Sequence, residues 1–182
     1  MIRNVFIAIA LLISIPAMPF AMSSRPSIEQ EYLFEFSHIN FAWGFQMSGM
    51  YIDKQGNVYK YNHSHSPWKP SSDTLLTAND LQEKYAHKKE LLTRIDTSVL
   101  NKMYKIINPA GDGKILQSQK KCFDMGSGTY TAYLFDSKTG QYTPVLLYQF
   151  GDRPQKNVSD EAKGLYEWLF DVFGNKPKMC TP

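Results

Sequence analysis

Residues 39–63 read INFAWGFQMSGMYIDKQGNVYKYNH, and this stretch decides the fold class. Its odd positions are Ile39, Phe41, Trp43, Phe45, Met47, Gly49 and Tyr51, while Asn40, Ala42, Gly44, Gln46 and Ser48 between them are small or polar. Side chains of a strand point alternately to its two faces, so a period of two predicts a half-buried strand over 39–51. Gly44 and Gly49 mark bulges or bends in a strand this long. Asp53-Lys54-Gln55-Gly56 supplies a hairpin turn, and the chain returns as a strand from Asn57 to about His63.

A second hairpin follows from the same chemistry. Thr129–Phe135 and Tyr142–Phe150 are rich in β-branched and aromatic residues and are joined by Asp136-Ser137-Lys138-Thr139-Gly140. Pro144 cannot donate to a ladder, which places it at an edge or a bulge.

Three helices are predicted. The first starts near Asn79, with Gln82 at the capping-box position, and runs through Leu81 and Tyr85 towards Leu91. The second is capped by Asp96, carries Val99, Leu100, Met103 and Ile107, and stops at Pro109. In the third, Ser159-Asp160-Glu161 opens the helix, Leu165, Trp168, Leu169, Val172 and Phe173 form one apolar face, and Gly174 closes it. Ser27–Ser37 reads either way, as a capped helix start or as a strand through Tyr32, Phe34 and Phe36. Ser64–Asp73 and Asn108–Gly113 read as loops. The expected fold is therefore α+β. An antiparallel sheet is built from two β-hairpins and covered on one side by about three helices, in the order hairpin, helix, helix, hairpin, helix.

Arg3, the apolar run Val5–Ile13, the helix breakers Pro16 and Pro19 and the small Ala21 match a secretory leader. The run is too short to span a bilayer, which needs ~20 apolar residues. Residues 1–21 are thus expected to be a signal peptide and 22–182 a single globular domain, secreted or periplasmic. No Cys lies near the cleavage point, which argues against a lipid anchor. Of the 182 residues, 43% are hydrophobic and 14% aromatic, enough for a sizeable core. The net charge is +3, and loss of Arg3 with the leader leaves +2. So even a balance points to neither a nucleic acid nor an anionic membrane as partner, and Lys88–Lys89 and Lys120–Lys121 read as solvated surface. Cys122 and Cys180, an even pair in an oxidising compartment, are expected to form a disulfide. It would close a loop of about 59 residues and contribute roughly 4 kcal/mol by pinning the C-terminal tail.

Tyr59, Tyr61, His63 and His65 would emerge on one strand face, with Trp68 following. Such a face could grip a protein, a peptide or a carbohydrate, or it could simply pack against the body. His63 and His65 at i, i+2 could also chelate a metal, with His38, His87 or Asp73 as a third ligand. Cys122 beside Lys120 and Lys121 could act as a nucleophile if it were not in a disulfide. There is no HExxH, no GxSxG elbow, no dinucleotide fingerprint and no P-loop, so no cofactor is called for. The sequence therefore favours a non-enzymatic binding module over a hydrolase working through His63/His65 or Cys122.

Overall fold

The computed structural model describes residues 28–42, 44–63, 67–72, 74–87, 89–118 and 123–175. The leader expected over residues 1–21, Trp43, His65, Asp73 and the Cys122–Cys180 pair lie outside them. The described chain is α+β, with a nine-stranded antiparallel sheet and four helices. The strands are β1 (Tyr32–Asn40), β2 (Gln46–Asp53), β3 (Asn57–His63), β4 (Leu76–Thr77), β5 (Glu90–Arg94), β6 (Ile115–Gln117), β7 (Ser127–Asp136), β8 (Gln141–Gly151) and β9 (Gln155–Asn157). The helices are α1 (Ala78–Tyr85), α2 (Thr97–Lys105), α3 (Ile107–Gly111) and α4 (Asp160–Phe173). Across the sheet the order is β5-β3-β2-β1-β7-β8-β9-β6, with β4 pairing β8 off that path.

Both expected hairpins form, as β2–β3 and β7–β8, but they are only part of the sheet. The join between them is β1, which pairs β2 on one side and β7 on the other. From Tyr32 onward the ambiguous stretch 27–37 is therefore strand, and it sits at the centre of the sheet. The long strand expected over 39–51 is in fact two strands with a turn at 41–45. Asn40 Oδ1 accepts the Ala42 N–H at 2.8 Å, an Asx turn, and Gly44 takes a φ of 92°. Five intervening residues preserve the parity, so Ile39, Phe45, Met47 and Tyr51 still share one side.

Helices cover both faces, not one. Alternate residues of the strands, among them Phe34, Phe36, Ile52, Val58, Tyr130, Ala132 and Leu147, pack against Leu100 of α2, Ile107 and Ala110 of α3, and Leu165, Leu169 and Phe173 of α4. The opposite set, Met47, Tyr51, Tyr61, Tyr133 and Tyr142, packs against Leu81 and Tyr85 of α1 and Leu76 of β4. The α4 caps are those expected: Ser159 Oγ accepts the Ala162 N–H, and Gly174 ends the helix in the left-handed region. Pro109 does not end α2. It lies inside the short α3, whose early turn has no need of its missing N–H. Leu91 belongs to β5, because α1 stops at Tyr85. Pro144 pairs Tyr133 in a part of β8 reached by neither β4 nor β9, so its outer side is locally an edge.

The α1 cap lies two residues earlier than expected. Thr77 is the N-cap, and Asp80, not Gln82, completes the capping box. Asp80 also accepts from the Ser71 N–H and hydroxyl, tying the 67–72 segment to the helix. Burial works to raise the Asp80 carboxyl, but the hydrogen bonds from Ser71 and Thr77 outweigh it and hold the pKa well below the usual range. A carboxyl depressed on folding contributes stability above its ordinary value near 3.8, and that contribution fades as pH falls below it. Asp80→Asn is therefore expected to be less stable than the parent by about 1–2 kcal/mol at neutral pH. In urea melts, the gap should be constant above about pH 5 and narrow steadily as pH falls below the ordinary value near 3.8.

Asn157, the acceptor of an Asn-Val-Ser sequon, is 1% exposed. Its amide donates to the Ala110 carbonyl and its oxygen accepts from Ser159, so it is a structural tie between α3, β9 and α4. Among the described residues no helix is long and apolar enough to cross a membrane.

Candidate functional site

Tyr59, Tyr61 and His63 do share one face of β3, opposite Tyr51, Gly49 and Met47 of β2. That face, however, lies under α1. Tyr61 is fully buried, His63 is 7% exposed, and Tyr85 of α1 packs its ring 5.1 Å from that of Tyr61. Tyr59 stacks on Tyr51 at 5.2 Å beneath the Lys89 ammonium. Trp68 is half-buried, donates through Nε1 to the Asp80 carbonyl at 3.0 Å and lies under Lys84. The expected open aromatic surface is thus filled by the chain's own helix and loop. His63 donates through Nε2 to the Lys84 carbonyl, which removes that nitrogen as a metal ligand. His87 lies beside His63 at 4.7 Å between ring centres, and His38 is at a different place, contacting the Met125 carbonyl. Among the described residues no group of three or more His, Cys, Asp or Glu side chains is placed to hold a metal.

Beneath α1 lies a polar cluster that the sequence did not reveal. Glu35, at the centre of β1, is 1% exposed, and Lys84 Nζ approaches both its oxygens at 2.8 Å. The hydroxyls of Tyr61 and Tyr133 donate to the same carboxylate, and the Tyr85 and Tyr133 hydroxyls meet at 3.1 Å. Burial, followed by the Glu35 charge, raises the pKa of all three tyrosines well above the usual value, so they remain donors. Gly49 makes the arrangement possible. It faces Tyr61 across β2–β3 and Ser37 across β1–β2, and a methyl group there would lie 2.6 Å from the Tyr61 hydroxyl oxygen. The glycine marks the place where the Tyr61 ring crosses β2 to reach Glu35, not the bulge expected from sequence. Every polar atom of the cluster is satisfied and enclosed, which suits a clamp between α1 and the sheet.

The exposed chemistry gathers elsewhere, at the end of the sheet where β1 turns into β2. Phe41 is 69% exposed and Phe123 is 82% exposed, the two most exposed large apolar side chains among the described residues. Asn40 Nδ2 donates to the Asp124 carbonyl at 3.4 Å, so the residues beside this contact, Phe41 and Phe123, leave the fold from neighbouring points. The phenyl rings of Phe41 and Phe45 lie 5.6 Å apart and tilted by 52°. The second loop is shaped from below by Asp152, whose carboxylate accepts the N–H groups of Met125 at 3.1 Å and Gly126 at 3.2 Å. Three shallow hollows open around this rim. One of about 620 Å³ runs between Phe41, Asp124 and Arg153; one of about 500 Å³ lies between Phe45 and His63; one of about 400 Å³ lies between His38, Met125 and Asn175. Hairpin tips are ordinarily Gly, Asn, Asp and Ser. Phe41, Trp43 and Phe45 clustered about Gly44 were the signal for this rim, and the alternation of the stretch concealed it.

Compared with protein-family models, with curated proteins and with solved structures, the chain gives no significant match to any of them.

Proposed function

We propose that this chain is an exported, non-enzymatic binding module of the cell envelope or extracellular space, and that its binding surface is the rim formed by the 41–45 turn and the loop at Phe123. The observation that carries the reading is the pair of phenylalanines, 69% and 82% exposed, on two segments joined by the hydrogen bond from Asn40 to the Asp124 carbonyl. Burying such side chains is favourable by roughly 1.5–3 kcal/mol each, and a large apolar patch left in water commonly marks a contact surface. Asn40 and Asp152 beside it are engaged in shaping the loops, and the two exposed rings supply the apolar contact. The same reading has residues 1–21 removed on export and Cys122 joined to Cys180.

Placing the photo-crosslinking residue p-benzoylphenylalanine at position 123 in the full-length chain tests this in cells. Irradiation is expected to trap an envelope component at position 123 but not at the control position 99, and the trapped chain is expected by mass to lack the leader. A chain retained in the cytosol with its leader intact, or one giving no adduct at position 123, overturns the reading.

A further inference from the structure

We infer that β5 is a self-association edge: two copies of the chain pair their β5 strands antiparallel about a two-fold axis at Leu92, joining their sheets into one. The inference stands apart from the rim and uses a different part of the surface.

The position of β5 is the first argument. It ends the sheet, with β3 on one side and no strand on the other among the described residues. All five of its residues are exposed, and Leu91 and Leu92 have 57% and 45% of their surface in water. An edge strand offers its backbone to any strand that can pair with it, and sheets commonly shield it with Pro, Lys or a bulge. Glu90-Leu91-Leu92-Thr93-Arg94 contains neither Pro nor Lys. Thr93 faces Val58 and Leu91 faces Tyr59, so Leu92 is an extra residue with no opposite number on β3. Such a bulge turns an edge away from a straight strand. A two-fold mate carries the same bulge at the same residue, so the two edges are bent alike.

Charge chooses the occupant. With Leu92 on the axis, antiparallel pairing sets Glu90 opposite the partner's Arg94 and Arg94 opposite the partner's Glu90. Leu92 then faces its own counterpart. Parallel pairing in register would set like charges together, so the two ends of the strand fix its direction. Both groups are available. Among the described residues Glu90 is in no ion pair, and Arg94 commits only its Nε–H, to the Gln55 carbonyl at 3.1 Å. The far edge of the sheet is no equal mate, since β6 has three residues and none is charged. Pairing β5 with β6 would also run head to tail and leave edges open, whereas β5 on β5 closes at two copies. A five-residue edge is small beside the about 20–30 residues a side of a standard interface, so the dimer exchanges with monomer.

Sedimentation equilibrium of the mature, oxidised protein from about 5 μM to about 1 mM provides the test, and a monomer–dimer equilibrium is expected within that range. Glu90→Arg turns two attractive cross-strand pairs into repulsive ones. It is expected to keep the parent Tm and to weaken dimerisation at least about tenfold. The charge swap Glu90→Arg/Arg94→Glu is expected to restore it, which damage to the fold could not do. In a second measurement, Leu92→Cys is expected to link two copies through a disulfide in air, and Leu116→Cys on β6 is not. A chain that stays monomeric throughout the range overturns the inference, as does a dimer that Glu90→Arg leaves unchanged. Loss of the dimer in Phe123→Ser would place the contact at the rim instead. Growth beyond two copies, abolished by Leu116→Lys, would assign head-to-tail pairing and overturn the two-fold arrangement.

Discussion

Lys84→Met is expected to destabilise the folded chain by about 3–5 kcal/mol, read as a drop in the midpoint of chemical unfolding. The ammonium of Lys84 lies 2.8 Å from both oxygens of a carboxylate that is 1% exposed. Removing it leaves Glu35 charged in a layer of tyrosine rings, with only the Tyr61 and Tyr133 hydroxyls to replace water. An unpaired buried charge costs more than the pair ever contributes, because both ions were desolvated in forming it. The double variant Glu35→Gln/Lys84→Met should therefore be more stable than Lys84→Met alone. Glutamine can still accept from one tyrosine, and no charge remains to be stranded. If the single variant unfolds within about 1 kcal/mol of the parent, the cluster is no clamp, and the account of α1 docking given above fails.

Gly49→Ala should cost about 3 kcal/mol or more, at the upper end of what overpacking produces. The added methyl would lie 2.2 Å from the Phe36 carbonyl oxygen and 2.7 Å from the Cζ of the Tyr61 ring. One neighbour is backbone in the central strand, and the other is a ring held by its bond to Glu35, so neither yields cheaply. The strain falls on the β1–β2 ladder and on the carboxylate cluster together. For that reason Gly49→Ala and Lys84→Met are expected to be non-additive: once the first has displaced Tyr61, the second has less to lose. Unfolding curves for the two single variants and the double variant decide this. Strict additivity would mean that Gly49 and the cluster are independent.

Legibility in the sequence followed the range of the interactions. The turns at 53–56 and 136–140 were readable because Asp and Gly make them locally, and the α4 caps were readable for the same reason. Three-residue strands such as β6 and β9 carry no pattern of their own. They exist because they pair with each other and β9 pairs with β8. Glu35 stood out as one charge inside Leu-Phe-Glu-Phe, but its partners lie at 61, 84 and 133, and no spacing rule links those numbers. Tyr61 and His63 were correctly placed on one face of β3. Which side α1 would cover is a tertiary fact, and it turned an expected ligand surface into core. The rim has the same origin: Asn40 and Asp124 are 84 positions apart, and only the β1–β7 pairing brings them together.

The route taken by the chain around α1 has a consequence of its own. β3 and β5 are neighbours, with Lys60 opposite Glu90, and the Asn62 N–H donates to the His87 carbonyl. The chain leaves the sheet after His63 and rejoins it at Glu90, almost where it departed. Everything between is a detour carrying α1 and β4, attached by the Glu35–Lys84 clamp, the rings around it and two residues of ladder against β8. A detour with adjoining ends can detach without unthreading any strand. Natural variation could lengthen, shorten or replace this lobe while the α2–α4 side of the sheet kept its architecture.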